Sequence, residues 1–349
     1  MNSALPPMAT AARQRREGDN MRAVDVHAHW FPPEWVGLLE QEGPDNGARM
    51  GRNSKGHVTI QLPGVALVSS FRPDMIDLEV MVKAMNEARV DVRALSLTNP
   101  MVYWAPPAFG LRLSQAFNDA CAAAHLRHPQ RFIGTIMLPM QAPELAVREL
   151  DRAAALPGMR AVYMAMHVAG RNLDDRTLWP VYERCQALGL PVCLHPVNPC
   201  GIERMQNFHM RNLLGNPYEA GIAAASLIFG GVLDAFPRLE FVLPHAGGTF
   251  PWLIGRMDRG IEVRRELAHM KQPASAYLRR FYYDTISHHP GIMRFLIELV
   301  GIDRILVGSD YNFDVGCERP ADFVESIPGL SANERELILN GNAARLFRL

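Results

Sequence analysis

Lysine is nearly missing from this chain: among 36 basic residues, only Lys55, Lys83 and Lys271 are lysines. Arginine codons can be GC-rich, so the bias reads as a coding habit and not as a functional signal. Charge of one sign is missing as well, since 36 acidic residues balance the basic ones. That argues against nucleic acid or an anionic membrane surface as the main partner. No apolar run reaches the ~20 residues of a transmembrane helix, so no membrane association is expected. Cysteine is sparse: Cys121, Cys185, Cys193, Cys200 and Cys317 are scattered, with no CxxC pair. An odd, dispersed set points to reduced thiols and a cytoplasmic protein. Neither GxGxxG nor a P-loop is present, and no redox cofactor is expected. Residues 1–20 lack the ~7–15-residue apolar stretch of a secretory signal. They are expected to form a disordered tail, with the ordered chain starting at Met21.

What is present is a long alternation. At 349 residues and 48% hydrophobic content, the chain could form two average domains, but α/β barrels reach about 250 residues as one. Eight short runs rich in Val, Ile, Leu, Tyr and Phe recur at 22–30, 90–98, 132–139, 159–166, 191–197, 239–247, 280–286 and 303–311. Such runs read as strands buried on both faces. Amphipathic segments separate them, among them 143–156, with Leu145, Val147, Leu150 and Ala153 at helical spacing, and 175–189, opened by Asp175 as N-cap. The economical architecture is a parallel (β/α)8 TIM barrel, with a doubly wound sheet as the other possibility. Residues 31–72 exceed what a simple barrel needs. Turn signals NSKG and LPG flank the alternating HVTIQL, which predicts a small β-hairpin inserted after the first strand. Loops there lie over the mouth of a barrel, so the insertion is expected to be a lid.

The chemistry gathers at the ends of these runs. His27 and His29 in VDVHAH are two apart on a strand, so they share a face at its C-terminal end. Two imidazoles on one face can chelate a divalent ion, or they can simply cap a strand end. His195 in VCLHP, His245 in FVLPHAGG and Asp310 in LVGSDY end the fifth, sixth and eighth runs. Convergence of all five on one mouth is hard to assign to separate capping roles. The fourth run ends in MRAVYMAMH without a lysine. His167, His288 and His289 also follow strand ends; loop packing is the favoured reading for each, with substrate contact as the other.

These motifs resemble the amidohydrolase superfamily, in its decarboxylase branch typified by 2-amino-3-carboxymuconate-6-semialdehyde decarboxylases. The resemblance runs in order from Met21 to Leu349 through VDVHAHWFPPEW, LPMQAPELAVRELDR, LHP, HAGGTFPWLIGR, LVGSDY and GNAARLF. It implies one divalent metal per subunit, Zn²⁺ or alternatively Mn²⁺, held by His27, His29, His195 and Asp310. It also implies that His245 is the catalytic acid/base, with Asp310 contributing charge as well as a ligand oxygen.

A small-molecule carboxylic acid substrate needs cationic anchors. Arg72 in SSFRPD resembles the family's carboxylate-binding arginine. Arg256 in FPWLIGRMD matches an arginine that enters the neighbouring subunit's site, which implies a homodimer. Where the type enzyme of the branch carries Trp-Asp after the fifth-strand His-Pro, this chain carries Val197 and Asn198. Where it carries DYPFPLG, this chain has DYNFDVGC. Asn198 and His167 are therefore candidate substrate residues, and the substrate is expected to differ from the type enzyme's. The expected activity is metal-dependent, non-oxidative decarboxylation of an aromatic or muconate-semialdehyde-type acid. The alternatives are a hydrolase acting on a C–C, ester or amide bond of a ring-cleavage product, and a metal-binding protein without turnover.

Overall fold

The computed structural model describes residues 23–62 and 68–349. The tail expected at 1–20 lies outside the described residues, as does part of the LPG turn. Each of the eight apolar runs supplies one strand of a parallel sheet: β1 (Val24–His29), then, beyond three short strands of the insertion, β5 (Val92–Ser96), β6 (Phe132–Met137), β7 (Met159–Ala165), β8 (Val192–His195), β9 (Phe241–Leu243), β10 (Phe281–Asp284) and β11 (Ile305–Leu306). Their spatial order is their chain order. The last strand returns to the first through Val26 N–H donating to Val307 O at 2.9 Å and His29 N–H donating to Tyr311 O at 2.8 Å. These bonds close the ring, so the barrel expectation holds and the doubly wound sheet does not.

Proline and pattern explain where the helices start. Pro33, Pro107, Pro143 and Pro290 each occupy the first turn of a helix, where a missing N–H costs nothing and the fixed φ suits the helix. The helix Pro143–Ala154 falls where periodicity predicted it, but its buried face is rotated. Ala146, Leu150 and Ala153 are buried, whereas Leu145 and Val147 are half-buried. Glu149 takes an inner position because Asn118 Nδ2 donates to it at 2.7 Å and Arg152 pairs with it at 2.8 Å. A polar side chain so satisfied fits an inward position that hydrophobic spacing alone would not assign. Asp175 accepts from Thr177 N–H as the expected cap, although the first turn is 3-10 and the α-helix proper is Trp179–Leu188.

The insertion is larger than a hairpin. A helix, Pro33–Glu42, buries Trp35 and Leu39. Then β2 (Arg49–Arg52), β3 (Val58–Gln61) and β4 (Val68–Ser70) form a three-stranded antiparallel sheet. The NSKG turn joins the first two strands: Asn53 Oδ1 accepts from Lys55 and His57 N–H, and Gly56 sits at φ 79°. Val58 and Ile60 point inward while Thr59 and Gln61 are half-buried, the alternation that HVTIQL displays. Among the described residues, no helix is long and apolar enough to cross a membrane.

Candidate active site and metal centre

The barrel register brings His27, His29, His195 and Asp310 together, all buried, with one ligand-competent atom of each lying within 4.8 Å of the others. His29 Nε2 lies 2.9 Å, His27 Nε2 3.3 Å and His195 Nε2 4.0 Å from Asp310 Oδ1. Each imidazole is oriented through its other nitrogen. His27 Nδ1–H donates to Asp284 Oδ2 at 2.8 Å. Ser96 Oγ–H donates to Ala28 O, so it accepts from His29 Nδ1–H at 3.1 Å. His195 Nδ1 faces Thr98 Oγ1 at 3.2 Å. This arrangement leaves the three Nε2 lone pairs turned inward, with the orienting shell that metal-binding histidines need. His27 Nε2 and His195 Nε2 are buried without a hydrogen-bond partner. Orphaned buried nitrogens beside a carboxylate fit a divalent cation well.

The electrostatics agree with a cation site. Burial works against a charged His27, but Asp310 and Asp284 outweigh it and lift its pKa to about 10. Burial lowers His29 to about 4, only partly offset by Asp310, and drives His195 well below its usual range. Burial alone would raise Asp310, yet His27, His195 and His245 hold it well below the ordinary carboxylate range. In the protein alone a proton on His27 thus takes the place of positive charge that a metal would bring.

Beneath the ligands runs a second buried network. Asp25 accepts from Ser309 N–H at 3.0 Å and from Arg93 Nε at 3.0 Å, and Arg93 lies 4.1 Å over the Tyr311 ring. It ties β1, β5 and the segment carrying Asp310 into one unit.

His245 stands beside this cluster, its Nε2 3.6 Å from Asp310 Oδ2. The turn that presents it is left-handed: His245, Ala246 and Gly247 have φ of 54°, 54° and 79°. A Cβ at Gly248 would come 2.1 Å from Pro217 O, so only glycine fits the close approach. Asp284 Oδ1 accepts from Ala246 N–H at 2.9 Å, so one carboxylate orients both His27 and the His245 turn. Sequence reasoning missed Asp284. Its signal was an acid ending the seventh apolar run, FYYDTI, in the position Asp310 holds in the eighth.

Two cavities meet at Asp310 and Asn212. The larger, about 490 Å³, is lined by Phe71 and Arg72 from the insertion, by Thr98 and by Asn198 and Arg211. The smaller, about 390 Å³, lies on the His245 side among Trp252, Phe295, Leu296 and His288. Arg72 reaches the larger cavity while bonded to Asp74 at 2.9 Å and donating to Asn312 O. Asn198 lines it too, at φ 48°. His167 lines neither: its Nδ1 accepts from Gly170 N–H and its Nε2–H donates to Asn198 O at 3.1 Å, a loop-packing role. His289 caps the helix Pro290–Val300 by accepting from Gly291 N–H. Arg256 is exposed on the helix Phe250–Val263 and opens onto neither cavity. Arg211 carried no signal in the sequence, being one of many arginines.

A parallel eight-stranded barrel with three histidines and an aspartate at its strand ends defines a class of metal-centred hydrolases and lyases. Residues 24–349 match the amidohydrolase family, and this chain belongs to it. It is 33% identical over 329 residues to the 2-amino-3-carboxymuconate-6-semialdehyde decarboxylase of Dictyostelium discoideum, across 93% of this chain and 91% of the relative. It is 30% identical over 301 residues to the gamma-resorcylate decarboxylase of Polaromonas sp., across 80% of this chain and 90% of that one. Among solved structures it resembles the 5-carboxyvanillate decarboxylase of Sphingomonas paucimobilis, with TM-score 0.80, 25% identity and coverage of 94% and 99%. It also resembles a dihydroxybenzoic acid decarboxylase from Polaromonas sp. with bound manganese and the inhibitor 2-nitroresorcinol, with TM-score 0.77, 26% identity and coverage of 94% and 97%.

Proposed function

We propose that this chain is a metal-dependent, non-oxidative decarboxylase of an aromatic or muconate-semialdehyde-type carboxylic acid. The observation that carries the reading is the buried His27–His29–His195–Asp310 cluster with His245 beside it, His195 and Asp310 lining a cavity large enough for a ring-sized acid and His245 lining the adjoining one. The decarboxylases to which the chain is similar support it. A single ion held by these four residues is inferred. Zn²⁺ suits three imidazoles and a carboxylate, and Mn²⁺, which the Polaromonas relative holds, is the other candidate. Bound there, a divalent ion would supply Lewis-acid polarisation of a substrate oxygen and a fixed point for orienting the acid.

The protein's own residues do the remaining work. Loss of CO₂ breaks a C–C bond and leaves its electron pair on carbon, so a proton must arrive there as CO₂ departs. His245 Nε2 is assigned to hold and deliver that proton. Asp310 Oδ2, facing it, stabilises the imidazolium that carries it. The left-handed turn and Asp284 hold the ring in place for the transfer. Residues 31–72 act as the lid, consistent with Phe71 and Arg72 lining the larger cavity. Arg72 is assigned to the acid's carboxylate, as are Asn198 and His167 to the loop that shapes its pocket.

The active form is inferred to be a homodimer in which Arg256 enters the partner's site. Arg256 is exposed, and Leu213, Trp252 and Phe295 expose apolar surface around the smaller cavity; burial of such a patch in a dimer is favourable. Unpaired thiols at all five cysteines fit a cytoplasmic setting.

The deciding experiment loads the protein with Zn²⁺ or Mn²⁺ and offers a panel of hydroxylated benzoic acids and ring-cleavage acids. One CO₂ released per product lacking a carboxyl group is expected. Incorporation of water oxygen without CO₂ would instead identify a hydrolase, and no turnover of any acid would reject both.

A further inference from the structure

Among the described residues, the larger cavity contains a cation with no carboxylate paired to it. Arg211, at the start of the segment leading into the helix Asn216–Phe229, is half-buried and lines this cavity. Its guanidinium donates once, from Nη2 to Asn198 Oδ1 at 2.8 Å. Among the described residues no carboxylate pairs with it. Burial weakens its hold on its proton, in keeping with a guanidinium that has lost water and gained no counter-ion. Arg72 across the same cavity differs, because Asp74 pairs with it. Asp314 opens on the cavity as well and pairs with neither arginine.

The mount of Arg211 is built rather than incidental. Asn198 adopts a left-handed φ of 48°, a conformation asparagine tolerates better than most residues. Its carbonyl accepts from His167 Nε2–H, and its side-chain oxygen accepts from Arg211. The chain His167–Asn198–Arg211 therefore fixes one edge of the guanidinium on the wall of the cavity. Asn212, the next residue, borders both cavities where Asp310 joins them, which puts Arg211 on the wall adjoining the metal centre.

We propose that Arg211, held by Asn198, is a specificity-determining site for a second carboxylate of the substrate, one that is retained when the first leaves as CO₂. The inference rests on the decarboxylase reading for its substrate class: the enzyme acts on a dicarboxylic acid, with the leaving carboxylate between the metal cluster and Arg72 and the retained one on Arg211. A planar fork with free donors matches a carboxylate in a way that a neutral hydroxyl does not.

The test measures binding of isophthalate and benzoate to the metal-loaded protein by calorimetry, together with CO₂ release from paired mono- and dicarboxylic aromatic hydroxyacids. Isophthalate should bind roughly 10- to 100-fold more tightly than benzoate, the range for a hydrogen-bonded charge. In Arg211→Gln, with metal content and circular dichroism unchanged, that ratio should fall close to one, and the preference for the diacid in kcat/KM should fall with it. Arg211→Met, which keeps the apolar stem, repeats the test if the glutamine variant does not fold. A ratio near one in the wild type, or a ratio unchanged in both variants, overturns the proposal even if CO₂ is released. Conversely, an Arg211-dependent preference without CO₂ release from any acid leaves the anion site standing and rejects the decarboxylase.

Discussion

Asp284 Oδ2 lies 2.8 Å from His27 Nδ1, while the other oxygen of the same carboxylate holds the Ala246 N–H next to His245. One buried acid therefore couples the orientation of an expected metal ligand to that of the expected proton carrier. Burial disfavours its charge, but His27 and the backbone donors keep its pKa below the usual range.

Replacing it should affect both functions. Asp284→Ala should weaken metal affinity about 10- to 100-fold, the usual cost of losing an outer-shell partner. The residual rate at saturating metal should drop as well, because the His245 turn loses its anchor. Chelator competition and steady-state kinetics measure the two separately. Metal retention and rate both equal to wild type would remove Asp284 from the site.

His245 and His195 should separate cleanly. His245→Ala is expected to keep its metal and lose about 10²- to 10⁴-fold in rate, the scale of general acid–base catalysis. His195→Ala is expected to lose the metal. If metal content falls in step with activity in His245→Ala, that histidine is a ligand.

Metal uptake should release protons. The pKa of His27 in the metal-free fold, about 10, lies above the ordinary 6.5, so His27 carries a proton at neutral pH that a ligand cannot keep. Calorimetry at pH 7.5 in buffers of different ionisation enthalpy should show about one proton released per ion, with affinity falling as pH is lowered. The same shift makes this proton stabilise the metal-free fold fully below pH 6.5, with the benefit lost as pH climbs through about 10. Proton-neutral uptake would argue that His27 does not bind the metal.

Arg256 is eleven residues beyond His245 on a helix leading away from the barrel mouth. Rise along that helix, about 1.5 Å per residue, takes it away from its own site. Arg256→Ala and His245→Ala chains, each inactive alone, should complement when subunits exchange. A mixed dimer has one site with both groups, so random exchange should restore about a quarter of wild-type activity. Demonstrated exchange without recovery would return Arg256 to its own subunit or remove it from catalysis.

Much of this protein could be read along the chain. Strand and helix follow from local periodicity, and the alternation along a strand puts His27 and His29 on one face wherever that strand packs. Parallel barrels place their chemistry at strand C-terminal ends, so His195, His245 and Asp310 could be grouped before any contact was seen. What only the tertiary structure decided are relations across the barrel. Asp284 and His27 are separated by 257 positions, and no local pattern encodes that strand register. The inner face of Pro143–Ala154 turned on whether Asn118 could satisfy Glu149, which hydrophobic spacing does not contain. Arg72 and Arg211 look alike as letters, yet one has a paired aspartate and the other only an amide. A charge is defined by its surroundings, and those surroundings form only when distant segments pack.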